Sequence, residues 1–113
     1  MFIKLLTALI VVESGGNPKA YSPHEGAVGI LQIRQICLTD VNIRYNTSLE
    51  LGDCYNPTVA RWVCVHYLKM YNASSYEEAA RIWNGGPKGM QKKATFRYWI
   101  KVKRELSKTE GDN

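Results

Sequence analysis

The sequence predicts a single, predominantly α-helical domain. Three observations predict this class: apolar residues recur at helical spacing, capping signals stand at the starts of the predicted helices, and almost no stretch alternates as a β-strand does. The chain has 113 residues, of which 45% are hydrophobic, enough for one domain with its own core and too few for two. We therefore expect about five to seven short helices around one core.

The first predicted helix, residues 2–14, carries a carboxylate on its apolar side. At about 100° per residue, Glu13 falls roughly opposite the polar Lys4. Its apolar neighbours on that side are Phe2, Leu6 and Leu9. Burial disfavours the charged form and raises the pKa of a carboxyl group, so Glu13 could donate a proton near neutral pH. The alternative is a helix-terminal Glu that points into solvent.

Loops and short helices alternate through the middle of the chain. Residues 15–26 have the Gly, Asn, Pro and Ser content of a loop. Residues 27–45 are expected to contain one or two short helices. Residues 46–55 are polar and contain Gly, which predicts a second loop.

Two further helices start at capping signals. The Asn-Pro pair at residues 56–57 suits an N-cap and first turn, and opens a helix that reaches about Tyr71. Residues 75–78, Ser-Tyr-Glu-Glu, match a capping box. The short helix that they start is stopped by the Gly-Gly pair at residues 85–86.

The last predicted helix runs from Ala94 to about Leu106 and is amphipathic. Its inward residues are expected to be Phe96, Trp99, Ile100 and Leu106. Its basic residues form an outward stripe of Arg97, Lys101, Arg104 and Lys108. We place the domain at residues 1–107 and a frayed polar tail at residues 108–113.

The charge balance favours an anionic partner. Fifteen Lys and Arg against ten Asp and Glu give a net charge of +5, which suits nucleic acid, an anionic cell wall or a membrane surface. No helix-turn-helix, zinc finger or glycine-spaced phosphate loop is present in the sequence. Only the net charge supports nucleic acid as a partner, and we expect no nucleic acid to bind. No stretch reaches the ~20 apolar residues of a membrane span, so no membrane insertion is expected.

The N-terminal apolar run resembles a signal peptide only superficially. No small-residue cleavage site follows it, and cleavage there would remove the helix that carries Glu13. We therefore expect a soluble chain without a signal peptide, encoded by a bacteriophage or excised from a longer protein.

The cysteines do not form a metal or disulfide framework. Cys37, Cys54 and Cys64 contain no C-x-x-C pair, and their odd number leaves at least one thiol free. A disulfide between Cys37 and Cys54 stays open as an alternative. Metal binding by Cys54, Cys64 and His66 is disfavoured because zinc ligands normally come in closely spaced pairs. We expect no metal and no cofactor.

Four motifs stand in a fixed order along the chain. They are Glu13-Ser14-Gly-x-Asn17-Pro18-x-Ala20, then Gly26-x-x-Gly29-x-x-Gln32, then Ala80-x-x-Trp83-Asn84-x-Gly86, and finally Tyr98 in the last helix. Their order and spacing resemble the four motifs of the lytic transglycosylase catalytic domain, a branch of the lysozyme superfamily. The resemblance covers nearly the whole chain and implies an all-α, lysozyme-like fold.

The resemblance also implies a reaction. Glu13 matches the family's catalytic acid, which protonates the oxygen of the β-1,4 bond between N-acetylmuramic acid and N-acetylglucosamine in peptidoglycan. The same carboxylate would then take the proton of the muramoyl C6 hydroxyl, whose attack on C1 closes a 1,6-anhydro ring. The implied partner is a peptidoglycan glycan strand at the bacterial cell wall, bound by a monomer.

Six further residues are expected to bind substrate: Ser14, Gly29, Gln32, Trp83, Asn84 and Tyr98. A glycine lets backbone pass close to sugar, and Gln32 can both donate and accept hydrogen bonds. Trp83 stands where the family more often has Tyr, which keeps an aromatic surface and loses a hydroxyl. Asn84 contacts sugar or caps its helix. Tyr98 matches the tyrosine whose hydroxyl lies near the catalytic Glu, or is a core aromatic.

A second carboxylate would change the outcome of the reaction. The pair His24-Glu25 lengthens its loop relative to the family, and Glu25, or less favourably Asp40 or Asp53, could position a water as a hydrolytic lysozyme does. The alternative for Glu25 is a solvated loop residue. Three interpretations therefore stand beside the lyase: a lysozyme-type hydrolase, a non-catalytic glycan-binding module, and the nucleic-acid binder.

Overall fold

The computed structural model describes the backbone of residues 3–111 and the side chains as far as Lys108. Within that range the helices are α1 (Ile3–Ser14), α2 (Gln35–Tyr45), α3 (Pro57–Met70), α4 (Tyr76–Gly85) and α5 (Lys93–Gly111). Two short 3₁₀ turns lie at Leu51–Tyr55 and Gly89–Gln91. The predicted all-α class is confirmed, with one small addition.

The addition is a two-stranded hairpin in the first predicted loop. Strand β1 (Tyr21–Ser22) pairs antiparallel with β2 (Ala27–Val28). Residues 27–34 therefore form strand and turns rather than helix, and the only helix within 27–45 begins at Gln35. Strands of two residues are too short to show alternation in the sequence, which is why the pattern did not predict them.

The capping signal of α3 acts as predicted. The Asn56 side chain accepts hydrogen bonds from the backbone N–H groups of Thr58 (2.8 Å) and Val59 (3.3 Å), and Pro57 opens the first turn of α3.

The box at α4 is only half formed. Ser75 Oγ accepts from the Glu78 N–H at 3.0 Å, but the Glu78 carboxylate turns to the N–H of Ser74 at 2.7 Å. Gly86 ends the helix with φ of 85°.

The inward face of α5 differs from the prediction. The buried positions are Thr95, Tyr98, Val102 and Leu106, with Trp99 half-buried beside them. Phe96 and Ile100, predicted inward, are 47% and 40% exposed. The face of α5 is chosen by its packing against α1 and α4, which no count of apolar residues along one helix can show.

The predicted end of α5 near Leu106 is wrong, because the helix continues to Gly111. The described part of the predicted tail, residues 108–111, is therefore helical. Asp112 and Asn113 lie outside the described residues, as does Phe2 among the predicted neighbours of Glu13.

The helices pack as two groups around one core. Helices α1 and α4 pack against α5, while α2 and the first 3₁₀ turn pack against α3, and contacts between α3 and α4 join the groups. The largest fully buried aliphatic side chains are Leu5, Leu9, Leu31, Ile33, Leu38 and Leu68. None of the helices within residues 3–111 combines the length and apolar character needed to cross a membrane.

All three cysteines are free thiols in the structure. Burial raises the pKa of Cys37 to about 12 and that of Cys54 to about 11. Burial also raises the pKa of Cys64 well above its ordinary value. The disulfide left open between Cys37 and Cys54 is not formed.

Candidate active site

Glu13 lies at the end of α1 with its carboxyl group inside the protein. The Tyr98 hydroxyl, on the inward face of α5, donates a hydrogen bond of 2.8 Å to Glu13 Oε2. This bond joins residues 85 positions apart, because α1 packs directly against α5. The structure therefore brings together the two residues that the first and last motifs singled out.

The surroundings of Glu13 raise its pKa from 4.5 to about 7. Burial is the largest cause, and the hydrogen bond from Tyr98 opposes it by stabilising the charged form. The negative charge of Glu25 raises the pKa further, whereas the charge of Arg34 and the indole of Trp83 lower it. At neutral pH both protonated and ionised Glu13 are present, which is the condition for a group that acts as acid and then base.

A cleft of about 320 Å³ opens beside Glu13. One wall is the end of α4, with Trp83 and Asn84. The opposite wall holds Gln32 and Arg34, which precede α2. The cleft therefore lies where the two groups of helices meet.

The amide of Gln32 is held in place by its neighbours. Gln32 Nε2 donates to the Gly29 carbonyl at 3.0 Å, and Gln32 Oε1 accepts from Ser22 Oγ at 2.5 Å. The residue has φ of 53°, unusual for a side chain of this size, and its N–H also bonds the Gly29 carbonyl at 3.1 Å. The hairpin and its following turn thus orient this amide at the cleft.

Gly29 and Ser14 lie outside the lining of the cleft and have packing contacts. Gly29 has φ of 78°, and a Cβ there would stand 2.3 Å from the Cys54 carbonyl oxygen. The Ser14 hydroxyl donates to the Ile30 carbonyl at 2.8 Å and accepts from the Gly16 N–H at 3.1 Å. Substrate contact by Gly29 and Ser14 remains a prediction, and their observed contacts are with the protein itself.

Trp83 and Asn84 reach the cleft from the end of α4. Trp83 is 8% exposed and packs edge-on against Tyr67, with ring centroids 5.7 Å apart. The residue that caps α4 is Gly86, so the alternative of Asn84 as the cap is wrong. The Asn84 carbonyl accepts a hydrogen bond from Arg34 Nη2 at 3.3 Å, which links the two walls of the cleft.

Of the candidate second carboxylates, two line the cleft. Glu25 is exposed at its edge, and Asp40 accepts a hydrogen bond of 3.4 Å from the Tyr71 hydroxyl. Asp53 instead caps the first 3₁₀ turn, where it accepts from the Glu50 N–H at 2.8 Å. His24 is exposed and lies outside the lining.

Arg34 and Tyr67 also line the cleft, and neither was predicted as a site residue. Arg34 stands two residues after the motif residue Gln32 and directly before α2, and that proximity is a signal that could have identified it. Tyr67 is one of several apolar positions on α3, and nothing in its local sequence distinguishes a cleft residue from a core residue.

Comparison with known proteins adds two findings. The sequence pattern described as the Transglycosylase SLT domain matches residues 3–104, a range that contains every residue of the cleft. A protein of Magallana gigas named Lysozyme is 35% identical to this chain over 105 residues, which make up 86% of this chain and 74% of that protein.

Proposed function

Since this chain belongs to the transglycosylase SLT domain family, a lysozyme-like family that degrades peptidoglycan, we propose that it is a lytic transglycosylase with Glu13 as its general acid and base. The bond cleaved is the β-1,4 bond between N-acetylmuramic acid and N-acetylglucosamine. The observation that carries the proposal is the 2.8 Å hydrogen bond from Tyr98 to Glu13, whose pKa is about 7 beside an open cleft.

In the first step neutral Glu13 donates its proton to the glycosidic oxygen. The bond between that oxygen and the muramoyl C1 breaks, and N-acetylglucosamine leaves with the proton as its new hydroxyl. Positive charge develops at C1, and the newly ionised Glu13 would stabilise it.

In the second step ionised Glu13 takes the proton of the muramoyl C6 hydroxyl. The C6 oxygen attacks C1 and closes a 1,6-anhydro ring, which restores neutral Glu13 without consuming water. A pKa of about 7 serves both steps, because neither protonation state is strongly disfavoured at neutral pH.

Three cleft residues are suited to hold the sugar during these steps. Gln32 uses one amide hydrogen and one oxygen lone pair within the protein, which leaves one hydrogen and one lone pair for a saccharide. Asn84 brings a second amide from the opposite wall. Most of the Trp83 ring is buried, and its exposed edge gives the sugar an apolar surface to pack against.

The alternative is a hydrolase in which water replaces the C6 hydroxyl. The observation that favours it is the position of Glu25, whose negative charge at the cleft raises the pKa of Glu13. In that route Glu25 would orient the water and a reducing N-acetylmuramic acid would be the product.

Replacement of Glu13 by Gln tests the proposal. We expect the release of soluble fragments from purified peptidoglycan to fall about 10²–10⁴-fold, because the amide cannot transfer the proton. Circular dichroism checks that the variant is folded. Clearing at the wild-type rate by Glu13→Gln would contradict the proposal, and binding without released fragments by the wild-type protein would favour a glycan-binding module.

The matched variant Glu25→Gln and the product mass separate lyase from hydrolase. A lyase keeps its activity in Glu25→Gln, and its products are lighter than hydrolysis products by one water. A loss as large as that of Glu13→Gln, together with products of the heavier mass, would establish the hydrolase instead.

A further inference from the structure

A second concave surface lies next to the cleft, between the second 3₁₀ turn and the start of α5. We call it the basic groove, lined by Arg81, Met90, Gln91, Lys92, Lys93, Phe96 and Arg97. Four of these residues are cationic and none is acidic. Lys92 lines both the groove and the cleft, so the two surfaces are adjacent.

Two of the four cations are committed to the protein. Arg81 forms an ion pair of 2.8 Å with Glu77 and a further hydrogen bond of 3.0 Å to Thr95 Oγ1. Lys92 Nζ donates to the Gly85 carbonyl at 2.6 Å. These contacts shape the groove and neutralise part of its charge.

Lys93 and Arg97 are the cations that remain available. Both are exposed, and within the described part of the chain neither side chain makes a hydrogen bond or an ion pair. They stand four residues apart on α5 and therefore on the same face of the helix. An anion in the groove would meet two charges that no protein group satisfies.

The groove also offers apolar surface beside these charges. Phe96 is 47% exposed and Met90 is 44% exposed. The guanidinium of Arg81 lies 5.6 Å from the centre of the Phe96 ring and supports it from one side. Cations next to apolar side chains fit a peptide that carries carboxylates and methyl groups better than a polyol phosphate polymer, which has no apolar side chains.

We propose that the basic groove binds the stem peptide of the muramoyl residue that occupies the cleft. Lys93 and Arg97 then form ion pairs with the carboxylates of that peptide. The inference rests on the proposed function, since the stem peptide is attached to the sugar that the cleft would hold. An extended peptide spans about 3.4 Å per residue, so about four residues reach roughly 14 Å from the sugar that carries them, in the direction of the adjacent groove.

Binding to a catalytically silent protein tests this inference without turnover. In the Glu13→Gln background, the pair Lys93→Gln with Arg97→Gln is compared with the pair Lys101→Gln with Arg104→Gln. Both pairs remove one Lys and one Arg from exposed positions of α5, and the second pair lies outside both lined surfaces. The probes are soluble glycan fragments with their stem peptides and the same fragments after an amidase has removed the stems.

We expect the groove variant to bind stem-bearing fragments about five- to tenfold more weakly, as the loss of two charged contacts would cause, and to bind stem-free fragments unchanged. The matched pair should change neither Kd by more than about twofold. Equal weakening for both probes, or equal effects of the two pairs, would overturn the inference. If the stem-dependent loss is found while wild-type protein releases no fragments, the groove stands and the proposed function falls.

Discussion

The hydrogen bond between Tyr98 and Glu13 has two opposing effects on one carboxyl group. It fixes the position of Oε2, and it lowers a pKa that burial has raised. The pKa of about 7 is therefore a balance, and loss of the tyrosine hydroxyl leaves the effect of burial less opposed.

We expect Tyr98→Phe to shift the pH dependence of activity. The pKa of Glu13 should rise, and since the acid must be protonated, the alkaline limb of kcat/KM should move to higher pH by up to about one unit. The rate at the optimum should fall roughly tenfold, because the carboxyl group is no longer held. The measurement is a pH–rate profile, with Tyr55→Phe as the matched control outside the cleft lining. An unmoved alkaline limb in Tyr98→Phe would show that the hydroxyl does not act on Glu13.

The motif residues of the site could be predicted from the sequence, whereas the contact that Arg34 makes across the cleft could not. Glu13 and Tyr98 belong to motifs whose order is informative, and the apolar side of the first helix gave an independent reason for a raised pKa. The contact of Arg34 with the Asn84 carbonyl joins residues 50 positions apart, and such a contact leaves no local pattern.

Among the elements, predictions that depend on local chemistry succeed, whereas those that depend on tertiary packing fail. Helix α3 begins where Asn56 and Pro57 place it, because a cap acts within three residues. The prediction that Phe96 and Ile100 of α5 point inward is wrong, because the rest of the fold decides which face of an amphipathic helix is buried.

A single substitution at Gly29 should disturb the packing of this residue against the first 3₁₀ turn. In Gly29→Ala the new Cβ would stand 2.3 Å from the Cys54 carbonyl oxygen at φ of 78°, so the first 3₁₀ turn must shift. We expect the free energy of unfolding in urea to fall by about 3 kcal/mol. Gly52→Ala, in that same turn, meets no atom within 4 Å and should change it by less than about 0.5 kcal/mol. Similar losses in both variants would refute this explanation of Gly29.

At the scale of the whole molecule, the buried acid makes stability depend on pH. The pKa of Glu13 is raised from 4.5 to about 7 on folding, so its favourable contribution is fully present below pH 4.5 and is lost as the pH rises through about 7. The cost above that range is the cost of ionising a carboxyl group inside the protein. The raised pKa of Glu13 therefore lowers the stability of the fold in mildly alkaline solution.

Comparison of wild-type protein with Glu13→Gln isolates this contribution, because all other groups titrate alike in both. At pH 8 the variant should be the more stable by about 3 kcal/mol, and at pH 4 the difference should vanish. Urea unfolding at the two pH values measures it. A difference that is the same at pH 4 and pH 8 would mean that ionisation of Glu13 does not oppose folding.

The three thiols have a consequence for the conditions in which this fold can exist. Thiolates react with oxidants and with disulfides far faster than thiols do. Burial raises the pKa values of Cys37, Cys54 and Cys64 and so keeps these residues in the thiol form. The core therefore needs no oxidant to form and offers little for an oxidant to attack. The same native structure is available in reducing and in oxidising surroundings, so an enzyme of this kind can be made on one side of a redox boundary and act on the other without covalent rearrangement.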